Sequence, residues 1–466
     1  MAQRKLIVDC DPGVDDVLAL LLALNTPSCS VALISLCFGN IGVTTSVRNV
    51  VATFQVLESE RQYRTLHKLP LLPYHLRNSP GDSSTWPTVA LGSTFPVSSR
   101  RTVGAEFFHG ADGLGGVHES APQFSPSETC ILPFRDPKTL SADQVITREQ
   151  VIRDAKGYVP TCRPSWREIL RILRQEAPNT VTIVAIAPLS NLARAALEDP
   201  ATFSRVKEVV CMGGNITIPG NMTPFAEFNF YADVDAAAIV LATTSRNPGS
   251  TLPPSIAAAA TSFRGPAGDD DDTEYVPVKF YLFPLDITTR HRLRHQWFVK
   301  CCAGWLDKTS VTNSHPGESP LATWMTVWLG GAFSRMEDLI MFEGGSRHAA
   351  ADQADGVGGA YIEMHDPLTM YFAIASDEDR AKLFNVSENM DLRIETTGQW
   401  SWGMCVLDRR GIAKRDPHDP RPARDDEGWL DITKGNKVNL VVEGPGSLAF
   451  GMKLLERVLG DLEGCT

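Results

Sequence analysis

Short apolar runs alternate with helical patterns along the first part of the chain. Residues 6–8 form an apolar run that ends at Asp9, and an apolar helical pattern follows as far as Leu24. A second apolar run at residues 31–38 is followed by a helical pattern at 47–58. Alternation of strand and helix in this way predicts an α/β fold with a mostly parallel, open sheet flanked by helices.

The same alternation continues through the middle of the chain. Strand patterns occur at residues 180–186, 206–212 and 278–287, and polar or glycine-rich residues follow each of them. The carboxyl ends of parallel strands meet at one edge of a sheet, where open α/β sheets bind their ligands. We therefore expect the functional site at that edge.

Four long stretches interrupt this pattern, at about residues 64–87, 122–164, 247–275 and 305–355. We interpret them as surface insertions in a single domain that spans residues 1–466. Within the third stretch, four consecutive aspartates at 269–272 predict a solvated loop, because like charges repel each other and favour disorder.

Composition narrows the class of partner. The formal net charge of −11 argues against nucleic acid or an anionic membrane as a partner and favours a small neutral or cationic substrate. The ten cysteines include no CxxC pair, and apolar runs stay short of the roughly 18 residues that a membrane span needs. Since the N-terminus carries no secretory apolar segment, we expect a cytoplasmic protein with reduced thiols. The sequence is also compatible with a fraction of the protein in the nucleus.

Four aspartates cluster directly after the first strand. Asp9, Asp11, Asp15 and Asp16 surround a Pro-Gly turn, and so much charge at the end of a buried strand needs solvent, helix amides or a cation to neutralise it. A hard cation with oxygen ligands is the simplest solution. Strand-Asp-x-Asp also opens haloacid-dehalogenase-type phosphatases, but these need Thr or Val where this chain has Gly13.

Two further stretches carry candidate chemistry. His365 and Asp366 precede Pro367, which places them at the boundary of a secondary-structure element. Between Gly213 and residue 233, amides and a carboxylate alternate with aromatic residues, a combination that suits hydrogen bonding to a polyol. Each stretch by itself is also compatible with helix capping.

Seven short motifs in this chain resemble those of the inosine-uridine-preferring nucleoside hydrolase family. They occur in the family order between residues 6 and 368: Asp9-Cys-Asp-Pro-Gly-Val-Asp-Asp16, Gly39-Asn40, His109-Gly-Ala-Asp-Gly-Leu-Gly115, Pro188-Leu-Ser-Asn191, Met212-Gly-Gly214, Glu227-Phe-Asn229 and His365-Asp-Pro367. The resemblance implies the nucleoside hydrolase fold, which has a Rossmann-like core.

The resemblance also implies a Ca²⁺ ion and a role for each matched residue. The metal ligands would be Asp11, Asp16, the main-chain carbonyl of Ile186, and Asp366. Asp11 would also be the base for the attacking water, His365 the general acid, and Asp9 a support for the loop. The substrate would contact Asp15, Asn40, His109, Met212, Asn221, Glu227 and Asn229.

The implied activity is calcium-dependent hydrolysis of purine or pyrimidine ribonucleosides to free base and ribose, in nucleoside salvage, by a homo-oligomer that is a dimer or a tetramer. A nucleoside-binding homologue without turnover is the alternative from another class. The two histidines favour the broad-specificity or pyrimidine-accepting branches of the family. Because the insertion at 305–355 falls where relatives cover the base, the base preference does not transfer to this chain.

Overall fold

The predicted parallel sheet is present in the computed structural model, which describes residues 3–78, 82–97, 102–252, 256, 275–306, 318–342, 359–416, 418, 425 and 427–460. Within these residues, nine strands pair in the order β10-β13-β7-β6-β5-β1-β2-β3-β4. They are parallel except for β10, which runs antiparallel to β13. The strands of this sheet are β1 (Arg4–Cys10), β2 (Cys29–Leu36), β3 (Thr88–Leu91), β4 (Val159–Thr161), β5 (Val181–Ala185), β6 (Glu208–Met212), β7 (Phe280–Phe283), β10 (Asn385–Met390) and β13 (Val438–Glu443).

Two small antiparallel pairs lie outside the main sheet. They are β8 (Arg292–Arg294) with β9 (Tyr361–Glu363), and β11 (Leu392–Ile394) with β12 (Cys405–Leu407). The pair of β8 and β9 leads the chain directly into His365 and Asp366.

Helices connect the strands and cover both faces of the sheet. They are α1 (Val14–Leu24), α2 (Val43–Leu66), α3 (Pro73–Arg77), α4 (Glu106–His109), α5 (Val117–Ser120), α6 (Ala142–Asp154), α7 (Ser165–Gln175), α8 (Ser190–Glu198), α9 (Pro200–Phe203), α10 (Phe228–Ala232), α11 (Val234–Ala242), α12 (Leu285–Thr288), α13 (His295–Leu306), α14 (Pro320–Phe342), α15 (His365–Ile374), α16 (Asp377–Leu383) and α17 (Ser447–Leu459). Short 3₁₀ turns lie at Ser83–Thr85, Pro122–Phe124, Glu128–Phe134, Pro137–Thr139 and Pro248–Ser250.

The first strand lies in the middle of the sheet because it is apolar on both faces. Leu6 and Val8 pack into the layer that contains α1, α2 and α15, whereas Ile7 points into the opposite layer with α7, α8 and α11. A strand that is buried on both faces needs a continuous apolar run, as this one has. From β1 the chain builds β2 to β4 on one side and β5 to β7 on the other. The carboxyl end of β1 is therefore a topological switch point.

The predicted strand at residues 278–287 is wrong beyond Phe283. Strand β7 ends there, Pro284 follows, and α12 begins at Leu285. Proline donates no main-chain hydrogen bond and has a φ suited to the start of a helix, so the apolar residues after it continue as a helical turn.

The stretches that we interpreted as insertions contain regular structure. Residues 122–164 supply α6 and the edge strand β4, residues 64–87 contain the end of α2 and all of α3, and α14 lies within 305–355. The aspartates at 269–272 lie outside the described residues. Among the helices of the described residues, none has the length and apolarity that crossing a bilayer requires.

A buried ion pair holds α14 in place. Glu60 on α2 accepts hydrogen bonds from Arg64 Nε at 2.6 Å, Ser319 Oγ at 2.7 Å and the main-chain N–H of Leu321 at 3.1 Å. Arg64 also donates to the carbonyl oxygen of Leu459 at 2.6 Å. The pair therefore joins α2 to the start of α14 and the end of α17, and the other end of α14 reaches the functional site.

We predict that Glu60→Gln lowers the free energy of unfolding by about 3 kcal/mol, because it leaves the buried guanidinium of Arg64 without its counter-charge. Urea denaturation followed by circular dichroism measures this change.

Glu58→Gln on the same helix is the matched control. Glu58 pairs with Arg61 at 2.6 Å, and the two side chains are 27% and 23% exposed. Its loss should cost less than about 1 kcal/mol. Equal losses in the two variants would contradict the importance that we assign to the buried pair.

Candidate active site

A cavity of about 280 Å³ opens at the carboxyl end of the sheet. Ten of the residues singled out in the sequence line it: Asp15, Asn40, His109, Ile186, Met212, Asn221, Glu227, Asn229, His365 and Asp366. The other two, Asp11 and Asp16, are fully buried and are held beside the cavity by Asn40. The structure thus brings together all twelve residues that the resemblance assigned to the metal, the substrate or the chemistry.

The loop after β1 is held by its own carboxylates. Asp16 accepts hydrogen bonds from the main-chain N–H groups of Asp11 at 3.1 Å and Gly13 at 3.0 Å, and from the side-chain amide of Asn40 at 3.0 Å. A Cβ atom on Gly13 would lie 2.6 Å from Nδ1 of His109, so only glycine fits this close approach. The turn therefore presents Asp15 and Asp16 at the start of α1, where the helix dipole favours anions.

Three buried carboxylates lie close enough to share one metal ion. Asp15, Asp16 and Asp366 each offer an oxygen, and these atoms all lie within 4.8 Å of one another. Burial, and then the neighbouring negative charges, raise the pKa values of Asp16 and Asp366 well above their ordinary range. The sequence assigned Asp15 to the sugar, whereas this geometry also places it within reach of a metal.

Asp11 lies beside this group, since its main-chain N–H donates to Asp16 at 3.1 Å. Its Oδ2 accepts a hydrogen bond from the main-chain N–H of Asn40 at 2.6 Å, while its Oδ1 is buried and has no hydrogen-bond partner among the described residues. Burial and the charge of Asp16 raise the pKa of Asp11 as well. An all-oxygen set with an unpartnered buried oxygen fits a hard divalent cation such as Ca²⁺.

Asp9 supports this loop from behind. Its Oδ1 accepts hydrogen bonds from Ser35 Oγ and from Nδ2 of Asn191, the latter at 2.8 Å. The carbonyl oxygen of Asp9 accepts from the N–H of Ile186 at 2.8 Å, which aligns the end of β5 with the end of β1. Asn191, from the Pro-Leu-Ser-Asn motif, therefore has a structural role.

On the opposite wall, Glu227 organises the expected sugar-binding residues. Its carboxylate accepts from the N–H groups of Asn229 at 2.8 Å, Gly214 at 2.8 Å and Phe230 at 3.1 Å, and so caps α10. The side-chain oxygen of Asn221 accepts from the N–H of Phe228 at 2.9 Å. This bond leaves the NH₂ group of Asn221 as the donor that its side chain can offer to a ligand.

The two histidines differ in protonation. Nδ1 of His109 accepts from the N–H of Val14 at 3.1 Å, so Nε2 carries the proton of the neutral ring. Burial lowers the pKa of His109 to about 4, and this side chain is neutral near pH 7. His109 can therefore donate a hydrogen bond, but it is not a source of protons at neutral pH.

At His365 the neighbouring negative charges outweigh the effect of burial, in contrast to His109. Its Nδ1 lies 2.7 Å from Oγ1 of Thr288, and its Nε2 lies 3.3 Å from Oε2 of Glu363. Burial lowers the pKa of His365, but the hydrogen bond and charge of Glu363 and the charges of Asp15 and Glu227 outweigh burial, so the pKa is raised. Of the two histidines, His365 is the one suited to act as an acid.

Sequence reasoning missed several residues of this cavity. Glu363 and the apolar side chains of Phe107, Phe108, Met336 and Leu339 also line it. The last two come from α14, and Arg335 on the same helix donates from Nε to the carbonyl oxygen of Phe108 at 2.9 Å. The position of Glu363 two residues before His365 was the one available signal for any of them.

Comparisons with known proteins agree with this geometry. Residues 6–425 match the family model described as inosine-uridine preferring nucleoside hydrolase. Uridine nucleosidase 1 of Arabidopsis thaliana is 30% identical over 237 residues, which are 51% of this chain and 53% of that protein. The pyrimidine-specific ribonucleoside hydrolase RihA of Salmonella enteritidis PT4 is 29% identical over 235 residues, which are 50% of this chain and 56% of that protein.

The chain thus spans about half the length of the curated relatives it matches. Among solved structures, a purine-preferring ribonucleoside hydrolase from Gardnerella vaginalis aligns with a TM-score of 0.60 at 18% identity, covering 98% of each chain. A plant nucleoside hydrolase aligns with a TM-score of 0.59 at 18% identity, covering 98% of this chain and 99% of that one. These structures share the fold.

The family match spans all seven sequence motifs and removes the haloacid-dehalogenase alternative. The chain belongs to the inosine-uridine preferring nucleoside hydrolase family.

Proposed function

We propose that this protein hydrolyses the N-glycosidic bond of ribonucleosides, releasing free base and ribose, with Ca²⁺ as its metal ion. The observation that carries the proposal is the composition of one cavity. Buried carboxylates and amides that suit a ribose line part of it, and apolar side chains that suit a planar base line the rest. His365, with its raised pKa, opens into the same space.

The ligands for Ca²⁺ would be the carboxylates of Asp11, Asp16 and Asp366 and the main-chain carbonyl of Ile186, with Asp15 adjacent. When bound, the cation lowers the pKa of a coordinated water and orients the ribose hydroxyls. In this proposal the carboxylate of Asp11 also accepts the proton of the attacking water; its Oδ2 is held by the N–H of Asn40, and its Oδ1 has no partner among the described residues.

The sugar-facing residues bind the ribose more strongly in the transition state than in the ground state. Asp15, Asn40, Asn221, Glu227 and Asn229 hydrogen-bond the ribose hydroxyls in this proposal. Such bonds strengthen as the ring flattens toward an oxocarbenium-like transition state, and binding that is stronger in the transition state is what accelerates a reaction. Met212 packs beneath the sugar, and His109 contributes its Nε2–H beside the base.

Protonation of the departing base is assigned to His365. The ring is anchored at Nδ1 by Thr288 and keeps Nε2 toward Glu363 and the cavity.

The proposal extends to a cytoplasmic enzyme of nucleoside salvage that acts as a dimer or tetramer, without nucleic-acid or membrane partners. The net charge of −11 supports the absence of nucleic acid. The presence of both Asp11 and His365 favours turnover over a nucleoside-binding role alone.

The purified protein should release ribose from inosine, uridine or cytidine, and chelation of Ca²⁺ should abolish that release because the carboxylates lose their counter-ion. A reducing-sugar assay with and without chelator measures both effects. A phosphate ester serves as the negative control substrate. The absence of ribose from every nucleoside at saturating Ca²⁺ would contradict the proposed function.

Asp11→Asn should lower kcat by at least roughly 1,000-fold, since an amide oxygen is a poor proton acceptor and a weaker metal ligand. The exposed carboxylate of Asp377, which pairs with Arg4 at the surface, provides the control variant Asp377→Asn, and its kcat should equal that of the wild type. A kcat near the wild-type value in Asp11→Asn would disprove the assignment of the base.

His365→Ala should slow uridine hydrolysis by roughly 100-fold or more, because the base leaves unprotonated. A nitrophenyl riboside, whose leaving group needs no proton, should be affected far less. Comparison of kcat/KM for the two substrates separates an acid role from a general loss of structure. Equal losses on both substrates would rule out the acid role.

A further inference from the structure

Asn49 joins two loops of the candidate active site, although it does not line the cavity. It lies on α2 and is fully buried. Its side-chain NH₂ group donates to the main-chain carbonyl oxygen of Pro12 at 2.8 Å and to that of Asp112 at 2.9 Å. Pro12 belongs to the carboxylate loop (residues 9–16), and Asp112 belongs to the histidine loop (residues 109–116). One amide group therefore holds both loops.

The orientation of this amide follows from its partners. Carbonyl oxygens only accept hydrogen bonds, so the NH₂ group must face them and the side-chain oxygen must face the other way. This oxygen, Oδ1 of Asn49, lies 2.8 Å from Nε2 of His118, which therefore donates to it. The other ring nitrogen of His118, Nδ1, lies 2.9 Å from Oγ of Ser125. The amide thus donates to two fixed partners and accepts from a third.

His118 is itself tied to the histidine loop. The carboxylate of Asp112 accepts hydrogen bonds from the main-chain N–H groups of Leu114 at 2.9 Å, Gly116 at 2.8 Å and His118 at 3.0 Å. Asn49 in turn bonds to the main chain of Asp112 and to the ring of His118. These three residues therefore form a closed set of hydrogen bonds that fixes the shape of the loop.

The two carbonyl oxygens depend on Asn49 for their hydrogen bonds. Among the described residues, no other donor reaches the carbonyl oxygen of Pro12 or that of Asp112. The loops also touch directly, because the N–H of Val14 donates to Nδ1 of His109 at 3.1 Å. Loss of the amide would therefore free both loops on one side of this contact.

Pro12 stands between groups that the proposed mechanism uses. Asp11 precedes it, and the N–H of Gly13, which follows it, donates to Asp16 at 3.0 Å. Asp11 and Asp16 are proposed metal ligands, so a shift of Pro12 would displace them. Replacement of a group that orients metal ligands typically lowers metal affinity by roughly 10- to 100-fold.

We propose that Asn49 is a positioning residue that sets the carboxylate loop against the histidine loop, and thereby sets the affinity of the site for Ca²⁺ and the rate of nucleoside hydrolysis. It acts through the residues of the two loops and contacts neither the metal nor the substrate. This inference rests on the proposed function, because the metal and the nucleoside are those of that proposal.

Asn49→Leu tests this role, because leucine keeps a branched side chain and forms no hydrogen bond through it. Calorimetric titration of Ca²⁺ into the metal-free protein should show an affinity that is lower by roughly 10- to 100-fold. At saturating Ca²⁺, kcat for the preferred nucleoside should still be lower by roughly 100-fold, since small displacements of reacting groups are costly. Full occupancy by the metal thus does not restore the rate.

Thr53→Val is the matched control on the same helix. Thr53 is 1% exposed, and its hydroxyl donates to the main-chain carbonyl oxygen of Asn49 at 2.8 Å. The substitution removes a buried hydrogen bond within α2 and leaves the side-chain amide of Asn49 in place. It should lower the midpoint of urea denaturation, whereas Ca²⁺ affinity and kcat should equal those of the wild type.

Two variants of His118 test the same network, also if Asn49→Leu does not fold. His118→Gln keeps an N–H that can donate to Oδ1 of Asn49, whereas His118→Leu has none. Ca²⁺ affinity should therefore fall in His118→Leu and fall less in His118→Gln. Equal affinities in these two variants would contradict the role of the hydrogen bond.

Wild-type Ca²⁺ affinity and kcat in folded Asn49→Leu would overturn the inference, and so would equal losses in Thr53→Val. If the wild type neither binds Ca²⁺ nor hydrolyses any nucleoside, the proposed function fails, and hydrogen–deuterium exchange measured by mass spectrometry then decides the inference by itself. Exchange should accelerate in both loops in Asn49→Leu but not in Thr53→Val. Unchanged exchange in either loop of Asn49→Leu would reject the inference.

Discussion

The burial of negative charge at the end of β1 is the constraint on which the rest of the site depends. Asp11 and Asp16 have no exposed surface, and Asp15 and Asp366 are nearly as buried. Main-chain amides and Asn40 satisfy part of this charge, but Oδ1 of Asp11 stays without a partner among the described residues. Ionised carboxylates so close together are stable in a low-dielectric interior when a cation joins them.

The fold brings residues from distant segments of the chain to the buried carboxylates at the end of β1. The parallel sheet places the loop after β1 between the end of β2, which supplies Asn40, and the end of β5, which supplies Ile186. Helix α15 then delivers His365 and Asp366 from 350 residues later, because α15 packs on α1 through apolar side chains in the same layer. The buried pair of Glu60 and Arg64 supports α14, whose Met336 and Leu339 complete the apolar part of the cavity.

Much of this arrangement could be predicted from sequence because the relevant features are local. The apolar run at residues 6–8 predicts a buried strand, and the charge of the aspartates after it favours a bound cation over solvent or helix amides. The strand predicted to continue past Phe283 was wrong, since Pro284 redirects the chain into α12. Glu363, Thr288 and Met336 escaped prediction because their roles arise from packing between β9, α12 and α14. The grouping of Asp15 with Asp16 and Asp366 likewise depends on how α15 meets the start of α1.

The most direct test of this account is a measurement of Ca²⁺ binding to the metal-free protein by isothermal titration calorimetry, without any substrate. The account predicts one Ca²⁺ per chain in the wild type and a large loss of affinity in Asp16→Asn, which changes one ligand without altering the volume of the side chain. Absence of Ca²⁺ binding by the wild type, or equal affinity in Asp16→Asn, would contradict the claim that a cation neutralises the buried carboxylates.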